Sequence, residues 1–153
     1  MNRPTYFHGG HPGLKIGEFL LPSVETGVRG LDDWSGSASE TIGRFVYVTT
    51  NMPAARLYAA MYPGKNGGTV YEVLPEGEIV LDKDCDLAGI SFSCPKALII
   101  AEHKISYAAV QWLRSSMMRA SSAMMRLAAM AEVAAEIHAS ETTAAPGTDA
   151  EPK

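Results

Sequence analysis

Up to about residue 105, every apolar run in this 153-residue chain is soon broken by glycine, proline, asparagine or aspartate. Punctuation at that spacing gives short strands joined by turns, since each breaker ends the run before a long element can form. The best strand candidates are Thr5 to His8, Arg44 to Thr50, Thr69 to Leu74 and Ala97 to His103, each rich in Val, Ile, Tyr or Phe. A short helix separates the second and third. Asn51 caps it and Pro53 suits its first turn, after which Ala54 to Met61 runs to Pro63 and the turn at Gly64, Asn66 and Gly67. Residues 22 to 43 mix Gly, Ser, Asp and Glu without period, which predicts a long irregular loop of the kind that carries substrate contacts.

After residue 105 the period changes. Val110, Leu113, Met117, Ala120, Met124, Leu127, Ala131 and Ala134 follow a 3,4,3,4 spacing, so 106 to 137 is a helix with an apolar stripe. Met118, Met125 and Met130 widen that stripe, and it can cover the sheet, pair with a second copy, or do both. Residues 139 to 153 carry almost no large apolar side chain and are expected to be a disordered tail. The expected division is therefore a domain over 1–105, a helix over 106–138 that packs on the domain or in an oligomer, and a tail over 139–153.

A hydrophobic content of 46% suits one domain with one core, and there is no room for a second. A formal charge of −4 gives no electrostatic footing for nucleic acid. No apolar run approaches the roughly 18 residues of a membrane span, and Arg114, Arg119, Arg126, Glu132 and Glu136 interrupt the long helix. The start lacks the basic-then-apolar pattern of a secretory signal, so the expected compartment is the cytoplasm. Cys85 and Cys94 read as reduced thiols, with one small-loop disulfide as the alternative.

Several local spellings fail their templates. Asp82-Lys83-Asp84-Cys85-Asp86 opens like a calcium loop, but position six is Leu87 where glycine is required and position twelve is Ser93 where a bidentate Glu is required. His8 and His11 have no third ligand at a diagnostic spacing, so no metal is expected. Pro63 to Gly68 has a lysine among glycines without the Ser or Thr of a phosphate loop, and it follows a helix instead of preceding one.

Three pieces remain, each on a predicted strand or at its end. They are Tyr6-Phe7-His8-Gly9, then Phe45-Val46-Tyr47-Val48-Thr49, then Val70-Tyr71-Glu72-Val73 running through Leu74-Pro75-Glu76-Gly77-Glu78-Ile79 toward Asp82. In that order, with Leu-Lys-Ile-Gly-Glu-Phe-Leu after the first and Cys94-Pro95-Lys96 before a final strand, the chain resembles the rifamycin ADP-ribosyltransferases over residues 6 to 105. These are small members of the ADP-ribosyltransferase superfamily, whose sites use a His, a Tyr and an acid on separate strands. The residues themselves give a mixed α+β chain; the resemblance implies a split antiparallel β-sheet core with short helices and a long C-terminal helix.

It further implies NAD as co-substrate, catalytic His8, Tyr47 and Asp82, and NAD contacts from His8, Gly9, Tyr47 and Thr49. Glu78 and Asp84 stay open as alternatives to Asp82, because the loop after Ile79 admits other alignments. The chemistry suits these residue types. Displacing nicotinamide leaves a ribose centre with oxocarbenium character, which a fixed carboxylate stabilises. His8 suits a ribose hydroxyl, Gly9 admits close approach of backbone to the nicotinamide end, Tyr47 offers a flat face, and Thr49 sits two residues along the same side of the strand. Only Lys83 to Cys94 precede the final strand, where family members carry a longer loop near the acceptor. The acceptor is left open among a rifamycin hydroxyl, another small molecule, a protein side chain, a nucleic-acid end and water. Two rival readings are a toxin or effector that modifies a macromolecule, and a silent NAD or ADP-ribose-binding module whose Met-rich helix drives assembly.

Overall fold

Residues 3–28, 43–82 and 89–143 are described by the computed structural model of the chain. In chain order the elements are β1 (Tyr6–Gly10), β2 (Phe19–Leu20), α1 (Ser23–Thr26), β3 (Val46–Thr49), α2 (Met52–Met61), β4 (Thr69–Glu76), β5 (Val80–Leu81), β6 (Ser91–Cys94), β7 (Lys96–Lys104) and α3 (Tyr107–Thr143). The strands form an antiparallel seven-stranded sheet in the order β2-β7-β4-β1-β3-β6-β5. The fold is α+β, with short helices and a long C-terminal helix, as expected.

The four strands predicted from β-branched and aromatic content are β1, β3, β4 and β7. The four-stranded part, β2-β7-β4-β1, meets the three-stranded part, β3-β6-β5, through a single registered pair, Phe7 opposite Thr49. One apolar cluster draws on both parts: Tyr71, Val73, Ala97, Ile99 and Leu20 from the first, and Val46, Val48 and Cys94 from the second. Strand alternation accounts for this, since every second residue of each strand turns to the same face.

On the other face α2 lies against β1 and β4, burying Ala55 and Ala59 with Val70. Asn51 caps α2 as its sequence predicts, its side-chain oxygen accepting the Ala54 N–H at 2.9 Å. The approach is close because small residues face each other. A side chain at Gly9 would run into the backbone of Ala55 and Ala59. The last carbonyls of α2 and the turn after it have no partner within their own helix. Arg114 supplies one, donating from Nε to Ala60 O at 2.6 Å and from one guanidinium NH2 nitrogen to Tyr62 O at 2.7 Å and Gly64 O at 2.9 Å.

Tyr71 is fully buried and fixes the loop after β1, its hydroxyl donating to His11 O at 2.8 Å and accepting the Leu14 N–H at 3.2 Å. Cys94 is a free buried thiol; Cys85 lies outside the described residues.

The chain separates into two compact units, one ending at Arg114 and one beginning at Ser115. The first turns of α3 belong to the first unit, where Ser106 Oγ accepts the Ala109 N–H and Val110 is completely buried. In the second unit Met118, Met124, Met125, Leu127 and Met130 are each about two-thirds exposed or more. The helix continues to Thr143, so residues 139–143 are helical where a tail was expected. Ala139 and Glu141 favour helix, and Ser140, Thr142 and Thr143 each cost only a fraction of a kcal/mol, about 0.7 at most, once nucleation is past. Residues 144–153 lie outside the described part. Within the loop expected over 22–43, Ser23–Thr26 forms one helical turn closed by Gly27 at φ 69°; residues 29–42 lie outside the described part. Among the described residues, no helix is long and apolar enough to cross a membrane.

Candidate active site

His8 stands where the two parts of the sheet diverge. Phe7 pairs with Thr49, but the next connection between β1 and β3 runs through a side chain: His8 Nδ1 lies 2.8 Å from Tyr47 O. A carbonyl oxygen only accepts, so Nδ1 carries the proton. Burial pushes the His8 imidazole below its usual range, against a smaller upward pull from the bond to Tyr47. The ring is therefore neutral at pH 7, and Nε2 presents a lone pair. Nε2 also sits over Gly10, whose missing Cβ would be 2.5 Å away. Gly10 thus makes the space that holds the ring, a role hidden from sequence reasoning because its neighbour Gly9 takes the attention.

The alternation that sends Val46 and Val48 into the core turns Tyr47 and Thr49 to the face that carries Phe7 and α2. His8, paired with Tyr71, leaves the sheet on the core side. The His8 and Tyr47 side chains therefore sit on opposite faces and are tied through the Tyr47 carbonyl. A molecule touching both has to straddle the divide between β1 and β3.

Asp82 follows β5. Its N–H donates to Ser91 O at 2.9 Å, and its carboxylate accepts the Ser91 hydroxyl at 2.9 Å. Ser91 is buried and pairs with Thr49, which in turn pairs with Phe7. Asp82, Ser91, Thr49 and Phe7 so form one row across four strands. At about 4.8 Å per strand, the row places the acid roughly 14 Å along the sheet from β1, too far for Asp82 and His8 to touch. Of the two other acids considered, Glu78 is exposed in the turn after Gly77, and Asp84 lies outside the described residues. Asp82 is thus a carboxylate held in place at both backbone and side chain.

Two of the expected contacts have structural duties. The space beside Gly9 is filled by α2. Thr49 is buried, and its hydroxyl accepts the Asn51 N–H at 3.0 Å, which shapes the turn into α2. Ser91 was not singled out from sequence, although Ser91-Phe92-Ser93-Cys94 alternates polar and apolar as a half-buried strand does. Comparison with known proteins returns neither a matching family model nor a curated relative.

Proposed function

We propose that the chain is a mono-ADP-ribosyltransferase that moves ADP-ribose from NAD to a hydroxyl of a small acceptor such as a rifamycin, releasing nicotinamide. The observation that carries this reading is the His8 to Tyr47 tie across the divide of the sheet. It holds a neutral imidazole with a lone pair on Nε2, which is the form that accepts a hydrogen bond from a ribose hydroxyl. In this reading NAD straddles the divide, with the Tyr47 ring against nicotinamide and Asp82, farther along the sheet, supplying negative charge as positive charge develops at the ribose and the bond to nicotinamide breaks. Nicotinamide departs neutral, so no general acid is required. The acceptor oxygen bonds to the ribose carbon and its proton passes to Asp82 or to solvent. Ser91 is a positioning residue, because its hydroxyl fixes the carboxylate without reaching the sugar. The reading places the protein in the cytoplasm, where NAD is supplied.

The test is mass spectrometry of a reaction holding the protein, NAD and rifampicin, with Asp82→Ala and His8→Ala alongside and free nicotinamide read in the same run. The expected result is rifampicin carrying one ADP-ribose unit with wild type and none with either variant. Nicotinamide release without modified rifampicin transfers the activity to another acceptor. With neither product, the transferase reading fails.

A further inference from the structure

Strand β7 does not keep one alternation along its length. Val73 pairs with Ile99 but Glu72 with Ala101, so Ile100 is an extra residue on β7, a bulge. On one side of it Ala97 and Ile99 face the core shared with Tyr71 and Val73. On the other side His103 falls opposite Val70, on the face that carries Phe7 and α2. Without the extra residue, a period of two would send His103 to the face of Ile99. The bulge therefore brings His103 to the same face as Glu72, which lies two residues from Val70 on β4.

The two side chains meet there. His103 Nε2 lies 3.6 Å from Glu72 Oε2, and the Phe7 ring meets the imidazole in an edge contact with ring centres 6.3 Å apart. Nε2 is buried, yet it has no hydrogen-bond partner among the described residues. A buried polar nitrogen of this kind calls for an ion or a water. The spacing chooses between them. At 3.6 Å the pair is too far apart for a direct N–H···O bond. A water bonded at about 2.8 Å to both atoms would span an angle of only about 80°, well short of its tetrahedral preference. A metal ion bonded at about 2.1 Å to both spans about 118°, near the tetrahedral angle. We propose that Glu72 and His103 bind a divalent transition-metal ion of the zinc class between Oε2 and Nε2.

An imidazole with a carboxylate suits zinc, whereas magnesium and calcium take oxygen ligands. With Nε2 on the ion, the ring proton sits on Nδ1. No third His, Cys, Asp or Glu side chain joins the pair among the described residues. Glu72 and His103 are 30% and 40% exposed, so water completes the coordination shell from the open side. The site is distinct from the candidate active site. Glu72 pairs with Phe7, and the row continues through Thr49 and Ser91 to Asp82. At about 4.8 Å per strand, four steps separate the two acids by roughly 19 Å.

Two measurements on the untagged full chain in a Cys85→Ser background test this. Calorimetric titration with zinc chloride is expected to show one ion bound per chain, with magnesium chloride giving no binding. His103→Gln and Glu72→Gln are each expected to weaken zinc by at least about tenfold, since loss of even a supporting residue at a metal site has that effect. His11→Gln is expected to leave it unchanged. Proton NMR of the unsubstituted His103 ring needs no folded variant at that position: zinc is expected to shift its signals and leave those of His11 in place. Absence of zinc binding overturns the proposal and leaves the two side chains as an ion pair. So does binding that survives both substitutions, or binding that shifts His11 and not His103. None of these readouts involves NAD, so they stand apart from the test of the transferase reading.

Discussion

Gly10→Ala tests the structural argument about His8 directly. A Cβ at position 10 would lie 2.5 Å from His8 Nε2 and 3.2 Å from Cδ2, whereas ordinary van der Waals contact begins near 3.4 Å. The ring has to retreat by nearly 1 Å, and its 2.8 Å bond to Tyr47 O does not survive that shift. A lost internal hydrogen bond that leaves an enclosed donor and acceptor unsatisfied costs about 1–3 kcal/mol. Gly10 does not have a positive φ, so alanine meets no backbone strain there and gains roughly 0.4–1 kcal/mol by restricting the unfolded chain. The net destabilisation is therefore at most about 2.6 kcal/mol and centred near 1.3 kcal/mol, a fall in Tm of roughly 3–5 °C for a chain of this size. The assay is thermal unfolding at pH 8 of wild type, Gly10→Ala, His8→Ala and the double variant. In the His8→Ala background the new methyl meets no ring, so Gly10→Ala is expected to be neutral or slightly stabilising there. An equal loss in both backgrounds would refute the account, because the clash would then be with something other than His8.

Three further outcomes follow from the same geometry. Because burial holds the folded His8 below 6.5, the unfolded chain binds the extra proton first as pH falls. Stability is thus fully present above about pH 6.5 and drops below it, and His8→Asn, which keeps a donor for Tyr47 O, should flatten that part of a denaturant-midpoint profile. Burial pushes the Cys94 thiol up to about 11, against a smaller downward pull from a backbone hydrogen bond at Lys96. In a Cys85→Ser background, a thiol-specific reagent at pH 7.5 should therefore react only as the protein unfolds; fast labelling of the native protein would contradict this. Arg114→Met removes three bonds to carbonyls at the end of α2 while keeping the aliphatic stem. A loss of about 1.5–3 kcal/mol is expected in urea unfolding, and amide exchange should quicken in residues 52–61, whereas an unchanged midpoint would show that the guanidinium contributes nothing to that helix end.

What could be read from sequence, and what could not, separates by whether an element carries its own reason to form. α2 does: Asn51, Pro53 and a run of alanines specify its start and its face, and the observed cap is the predicted one. β1, β3, β4 and β7 likewise hold enough β-branched and aromatic residues to declare themselves. β2 and β5 do not, since Phe19–Leu20 and Val80–Leu81 are too short to show any period and exist as strands only through β7 and β6. The same distinction applies inside the site. His8, Tyr47 and Asp82 are marked by the family resemblance and by residue types that carry chemistry, while the residues that hold His8 and Asp82, Gly10 and Ser91, are small and common. Their importance rests on distances that form after folding: a missing Cβ beneath an imidazole, and a hydroxyl 2.9 Å from a carboxylate. On the proposed transferase reading, Ser91→Ala therefore separates two explanations of Asp82. If the carboxylate acts only by its charge, turnover in the NAD assay changes little. If it acts by where it is held, kcat falls while KM for NAD stays near its wild-type value, because a carboxylate free to rotate stabilises the developing charge less than one already aimed at it.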